Sequence, residues 1–343
     1  MFKKERKSVL LFSTLQPYPF WAGSENFWFD FVADERRNSF FQFHVSLADS
    51  QVTRAKAEAL AAAGAGVSFY KHFNVNFARR NIYRLSDRIR RRSERTLPWY
   101  DVIKNGRWDL VWFSVDGLNS LLDLEYAAGI CREQGIPYWL QLQHGYEDFF
   151  LTTARDIDVV SLVAVEARRF IFIADRNRRS LERAIGKRLD NAFFSVNALP
   201  PAKIAEAGRV SKESPPNSNG TAHFFNLGRF SPKDKGQHLL LEALADGEWK
   251  ERAWELSFIG IDDFGRKYLE RLIDFFGIEK SKIRIVPHTK DVFAEIARHD
   301  VLLMPSLAEG TPFAMIESMA CGRPAIGTPV GGIPELIRDG ETG

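Results

Sequence analysis

The feature that most constrains this chain is a rhythm: short, nearly continuous apolar runs recur along it, separated by longer amphipathic stretches. In the first half the runs are 8–13, 41–47, 66–70, 110–114, 138–142, 170–174 and 193–196, with helical spacing between them at 25–36, 53–63 and 118–134. Continuous apolar runs suit strands covered on both faces. Strands that alternate with helices predict βαβ units built on a parallel sheet.

The rhythm breaks at Pro200-Pro201 and again across 211–220, where the sequence reads SKESPPNSNG and offers turn residues but no core. It then restarts, with strands expected at 222–227, 256–260, 283–287, 301–305 and 324–328 and helices at 236–245, 264–276, 292–298 and 312–321. A chain of 343 residues exceeds one ordinary core. The expectation is therefore an α/β protein of two Rossmann-like domains facing each other across a cleft: 1–205, a linker at 206–220, and 221–343. A doubly wound domain ordinarily continues beyond the helix and turn that end at Asp339-Gly340-Glu341-Thr342-Gly343, so the second domain is expected to be incomplete.

Composition narrows the function classes. Apolar residues make up 45% and charged residues 27%, and the net charge of +3 does not by itself call for nucleic acid. Two distant cysteines, Cys131 and Cys321, imply neither a disulfide framework nor a metal cluster. The run Val9-Leu10-Leu11-Phe12 is too short for a signal peptide, and no stretch reaches the length of a membrane span, so a cytoplasmic protein is expected. The segment 79–95 holds eight arginines against Asp87 and Glu94. It reads either as a solvated helix face or as a patch for an anionic acceptor or for anionic lipid headgroups at the inner membrane surface. It lacks the aromatic interleaving of a single-strand binder, so no nucleic-acid partner is expected.

In open α/β sheets ligands bind at the carboxyl ends of strands. The richest such segment is 301–332, VLLMPSLAEGTPFAMIESMACGRPAIGTPVGG. A buried strand ends at Pro305, Thr311 is placed to cap the next helix, Pro312 suits its first position, and Gly322 suits a left-handed C-terminal cap. The free N–H groups at that helix start form an anion site. Glu317 stands among Phe313, Ala314, Met315, Ile316, Met319 and Ala320, where a carboxylate is costly unless hydrogen-bonded. Read alone, it fits a ribose partner or a partly exposed glutamate equally.

A second cluster follows the first strand after the linker: Gly228, Arg229, Lys233, Lys235 and Gly236. An arginine and a lysine converging on a strand end can neutralise a diphosphate without a metal ion, or can form an ordinary basic loop. His144 follows the run 138–142, a cleft position that also suits a local hydrogen-bonding role. Asp156-Ile157-Asp158 matches a metal-binding tripeptide of a kind that arises easily by chance. No strand is followed by Gly-x-Gly-x-x-Gly with an acidic residue about 20 positions on, which argues against a dehydrogenase. Trp21 and Trp28, in the aromatic-rich region 17–31, suit either core or sugar stacking.

In this order, Gly-Arg and Lys-Gly, a strand closing near Pro287-His288, then Glu309 and Glu317 embedded in EGTP-apolar-ES-apolar-CGRPAIGT, the second half resembles the retaining glycosyltransferases of family four. Gly23-Ser24-Glu25, Gln143-His144-Gly145 and Asn197 carry a weaker echo in the first half. Thr311-Pro312-Phe313 stands where many members have Gly-Phe-Gly.

The resemblance implies the GT-B fold and sugar transfer from a nucleotide-diphospho-sugar to a glycan, lipid or other acceptor. Transfer would retain anomeric configuration, with no metal and no cofactor, the nucleotide-sugar being a substrate. It implies that Arg229 and Lys235 hold the diphosphate and stabilise the developing charge, Gly228 and Gly23 let backbone approach it, and the backbone of the segment Gly310, Thr311, Pro312 and Phe313 cradles phosphate and sugar. Glu317 would bind the ribose, Glu309 the donor sugar, and His288 the base through its main chain, with His144 near the reacting centre. The alternative is a nucleotide- or carbohydrate-binding subunit that keeps the fold without turnover.

Overall fold

A computed structural model of the chain describes residues 6–13, 25–34, 36–70, 98–146, 149–213, 220–262, 265–287, 289 and 291–343. Gly23, Trp21, His288 and the segment 79–95 lie outside the described residues. The chain divides into two compact units. Unit 1 comprises 1–143, 150–172 and 181–193, and unit 2 comprises 144–149, 173–180 and 194–343.

Unit 1 is built on β1 (Lys7–Ser13), β2 (Phe41–Ala48), β3 (Gly66–Tyr70), β4 (Leu110–Val115), β5 (Tyr138–Leu142), β7 (Arg169–Phe172) and β8 (Ala192–Phe194). Their order in the sheet is β3-β2-β1-β4-β5-β7-β8, parallel from β3 through β7. Val9, Leu10, Leu11 and Phe12 of β1 are all buried, as a strand covered on both faces requires. On one face Val9, Leu11, Phe43, Val45 and Trp112 pack with Trp28 and Val32 of the helix Asn26–Ala33 and Leu60 of the helix Gln51–Ala62. Each such side chain contributes roughly 1.5–3 kcal/mol on burial. Trp28 is therefore core.

Unit 2 holds β9 (Ala222–Leu227), β10 (Trp254–Gly260), β11 (Ile283–Pro287), β12 (Val301–Met304) and β14 (Ala325–Gly327). They form a parallel sheet in the order β11-β10-β9-β12-β14. Alternate residues feed opposite faces. Phe225 and Leu302 pack with Met315, Phe293 and Ala207, while Phe224 and Leu303 pack with Leu241, Leu269 and Ile273. A separate antiparallel pair joins β6 (Gly145–Tyr146) to β13 (Ala308–Glu309).

Three expectations need correction. The predicted linker 206–220 begins inside a helix, Pro201–Glu213, because Ala207 and Val210 bury against Phe293 and Met315 and so add a core face to a polar sequence. The stretch 118–134 is a 3₁₀ segment, Leu118–Leu124, followed by the helix Glu125–Glu133. Leu118, Leu121 and Leu124 are all buried, and their spacing of three is the 3₁₀ period. The helix expected at 236–245 is present as Gln237–Leu244, and a separate short helix not expected from the sequence, Pro232–Lys235, precedes it and ends where Gly236 takes φ +62°. Finally, Thr311 does not cap the helix Phe313–Ala320, whose cap is Pro312. Its hydroxyl donates instead to the Ile173 carbonyl. Both cysteines are buried and free, and Gly322 takes the left-handed conformation, φ +64°.

Candidate functional site

The strand order of unit 2 reverses at β9: β10 and β11 lie on one side, β12 and β14 on the other. The carboxyl ends of β9 and β12 thus form a topological switch point, where α/β sheets place their ligands. Three glycines let the loops converge there. A Cβ on Gly260 would lie 1.9 Å from the Gly228 oxygen, and one on Gly236 would lie 1.8 Å from the Pro305 oxygen. A Cβ on Gly331 would lie 2.3 Å from the Glu309 oxygen.

The loop after β9 is braced from below. Asn226 donates its amide to the Leu303 carbonyl at 2.8 Å, and Gln237 donates to the Arg229 carbonyl at 2.8 Å. The Lys235 stem passes over Gly228, and its Nζ donates to Glu309 Oε1 at 2.5 Å. Ser306 Oγ donates to the same oxygen at 2.8 Å. Glu309 is buried, 5% exposed, yet its Oε2 has no hydrogen-bond partner among the described residues. One oxygen is anchored to the protein and the other is left open.

The Glu309 loop is fixed through its carbonyls. Asn177 donates to the oxygen of Glu309 at 3.2 Å, the Gly332 N–H to that of Gly310 at 2.7 Å, and Asn197 to that of Thr311 at 2.7 Å. The amides of Gly310 and Thr311 make no hydrogen bond among the described residues. The helix that follows starts at Phe313 with first-turn N–H groups that have no helical acceptor.

Glu317, one turn into that helix, is half-buried, and its carboxylate has no hydrogen-bond partner among the described residues. Burial pushes its carboxyl up to about 7, while the Lys203 charge pulls the other way. Arg229 lies with its Nη2 3.8 Å from Asp234 Oδ2. Burial acts to raise the Asp234 carboxyl, but the Tyr146 and Ser231 hydroxyls with the Arg229 and His144 charges outweigh it and hold it below its ordinary range.

The structure thus brings Gly228, Arg229, Lys235, Glu309, Gly310, Thr311, Pro312, Phe313 and Glu317 to the strand ends of unit 2, and places His144 beside β6 in the same unit. Sequence reasoning missed Asp234 and Asn177, and it placed Ser306 on the Glu309 loop without giving it a role. Asp234 had a visible signal, an acidic residue inside the basic run Lys233-Asp234-Lys235. Asp156, half-buried, and Asp158, exposed, stand in the first turns of the helix Ala154–Glu166, where Thr153 caps the Asp156 N–H. Among the described residues no group of three or more His, Cys, Asp or Glu is arranged to hold a metal ion, and no helix is long and apolar enough to cross a membrane.

The fold is the two-Rossmann GT-B fold of glycosyltransferases. It matches the crystal structure of Anabaena HepE in complex with UDP-glucose with a TM-score of 0.65 at 19% identity, over 98% of this chain and 84% of that one. Residues 221–343 match the model of the family described as Glycosyl transferases group 1. The chain is 30% identical over 159 residues to a Salmonella typhimurium protein provisionally named colanic acid biosynthesis glycosyltransferase WcaL, covering 42% of this chain and 38% of that protein. It is 49% identical over 55 residues to the N-acetyl-alpha-D-glucosaminyl L-malate synthase of Bacillus anthracis, covering 16% and 14%. The matched segments therefore span well under half the length of these curated relatives. The family match is confined to residues 221–343, and the structural neighbours, at 19% identity, share the fold.

Proposed function

We propose that the chain transfers a sugar from a nucleotide-diphospho-sugar to a hydroxyl of a glycan, lipid or other acceptor, with retention of anomeric configuration and without a metal ion. The observation that carries this reading is the cluster at the β9–β12 switch point: Lys235 paired to one oxygen of Glu309, with Arg229 on the same loop. A lysine ammonium has three N–H donors, and Glu309 uses one. The others, with Arg229 and the unbonded amides of Gly310 and Thr311, suit the oxygens of a diphosphate.

As the bond from the sugar C1 to the diphosphate oxygen breaks, negative charge grows on the leaving group and positive charge on the ring. Cations held in place before that moment stabilise the first. The open Oε2 of Glu309 suits a sugar hydroxyl or the developing positive charge. Glu317 supplies an acceptor for the two ribose hydroxyls, which explains a carboxylate with no partner of its own. His144 acts near the reacting sugar, and the segment 79–95 meets anionic lipid, which binding to phosphatidylglycerol vesicles would read.

Calorimetry with UDP and with GDP tests the donor site, followed by turnover of UDP-glucose with and without EDTA and assignment of the product anomer. Binding of one nucleotide with EDTA-insensitive turnover and retention is the expected result. Binding of neither nucleotide sinks the reading. Tight binding without transfer or hydrolysis marks a nucleotide-binding subunit of the same fold.

A further inference from the structure

Asp234 lies between two lysines, yet neither uses its carboxylate in the way the sequence suggests: Lys235 turns to Glu309 at 2.5 Å. Instead Tyr146 donates its hydroxyl to Asp234 Oδ1, Ser231 donates to Oδ2 at 3.0 Å, and Arg229 Nη2 stands 3.8 Å from Oδ2. The Asp234 carbonyl accepts the Leu307 N–H at 2.8 Å. One residue therefore touches the loop after β9, the loop after β12 and the short strand β6.

We propose that Asp234 is a positioning residue that seats the His144–Tyr146 segment on the cations of the donor site, a role that rests on the transferase reading given above. The β6–β13 ladder is only two residues long, Tyr146 opposite Ala308 and Gly145 opposite Glu309. A ladder of that length is marginal alone. A hydroxyl bonded to an ionised carboxylate is among the stronger side-chain hydrogen bonds. Asp234 is held ionised by the same groups that surround it.

Alternate residues of an extended segment share a face, and the His144 and Tyr146 rings lie with centroids 6.1 Å apart. Fixing the phenol therefore fixes the imidazole. Because Arg229 faces the other oxygen of the same carboxylate, the diphosphate cation and His144 are set against a single reference group.

The test uses Tyr146→Phe, Asp234→Asn and the double variant of the full chain, with Phe keeping the ring and the β6 backbone pairing. Hydrogen–deuterium exchange of the peptide 144–149 reads the seating. Isothermal titration with UDP reads the donor site, and hydrolysis of UDP-glucose splits kcat from KM. In Tyr146→Phe, exchange of that peptide is expected to quicken about tenfold, the size of one hydrogen bond to a charged group, with UDP affinity changed less than about twofold. Hydrolysis should lose kcat by a similar factor at unchanged KM. The double variant should match Asp234→Asn in exchange, because both changes remove one interaction. Unchanged exchange in Tyr146→Phe, or effects that multiply in the double variant, overturns the proposal. A wild-type chain that binds neither UDP nor GDP sinks the transferase reading, and the exchange cycle still decides whether Asp234 seats the segment.

Discussion

Glu25 in unit 1 and Glu317 in unit 2 each stand at a helix that follows a core strand, and burial raises the carboxyl of both. Glu25 is 3% exposed and accepts the Ser13 hydroxyl at 2.9 Å. Burial pushes it up to about 8, with the Ser13 and Trp28 hydrogen bonds pulling down and the Asp116 charge adding to the rise. Glu317 is only half-buried, reaches about 7, and has the Lys203 charge nearby but no hydrogen bond. The first carboxyl is fully buried with one oxygen bonded to Ser13 and the other, Oε2, without a hydrogen-bond partner among the described residues. The second carries the desolvation cost with its acceptors unused. Burial raises both groups alike; what separates them is that Glu25 is closed off from solvent and accepts the Ser13 hydroxyl, whereas Glu317 is partly open to solvent and accepts no hydrogen bond among the described residues, as a carboxylate that suits a ligand would.

The largest expected effect tests the ligand side of that contrast. Lys235→Ala removes the partner of Glu309 and one diphosphate cation together, so turnover of UDP-glucose should fall by about 10²–10³, the loss typical of one preorganised electrostatic group. Circular dichroism should be unchanged, because Lys235 lies outside the packed cores. Wild-type turnover in this variant would leave the switch-point cluster without a role.

Glu25→Gln tests the structural side. A carboxyl whose folded pKa is raised contributes stability below its unfolded pKa, near 4.5, and loses it as pH rises through about 8. The wild type should therefore lose stability across that window. Glutamine keeps an acceptor for Ser13 without the charge, so the variant should be more stable at pH 8 by on the order of 3 kcal/mol and show a flatter profile from 4.5 to 8. Urea midpoints across that range check it, and parallel profiles for the two proteins would show that Glu25 titrates as an ordinary surface glutamate.

Much of this contrast was legible beforehand, and the exceptions share a cause. The strands expected at 66–70, 138–142, 222–227 and 283–287 coincide with Gly66–Tyr70, Tyr138–Leu142, Ala222–Leu227 and Ile283–Pro287. Burial writes itself into a local apolar run at Tyr138–Leu142 and Ala222–Leu227, whereas the edge strands Gly66–Tyr70 and Ile283–Pro287 hold no fully buried residue and were legible from their β-branched and aromatic residues. Glu317 was conspicuous for the same reason, a charge inside an apolar helix. The helix Pro201–Glu213 was hidden because its burial depends on Phe293 and Met315, far along the chain. β6 and β13 are too short to carry a period, and their pairing joins residues more than 150 positions apart. Thr311 is oriented by donating its hydroxyl to the Ile173 carbonyl, and the helix begins one residue later than expected, with Pro312 at its cap. Asp234 is the sharpest case: its neighbours in sequence are lysines, but its partners are Tyr146, Ser231 and Arg229.

The smallest expected effect concerns Glu317 and sharpens the contrast most directly. An ionised carboxylate accepts two ribose hydroxyls better than a neutral acid does, so UDP affinity should rise with pH through about 7 and level off above it. Glu317→Gln removes the titration and one strong acceptor together. Its UDP affinity should be about tenfold weaker than wild type at pH 8, close to wild type at pH 6, and flat between. Bound UDP should also lower the Glu317 pKa, since hydroxyl donors favour the charged form, and so binding near pH 7 should release protons in calorimetry run in buffers of different ionisation heat. Glu317→Gln should abolish that release. Glu25→Gln should leave it intact, because Glu25 is sealed in unit 1. Equal proton release from both variants would erase the distinction between the two carboxyls, and release lost only in Glu25→Gln would reverse it.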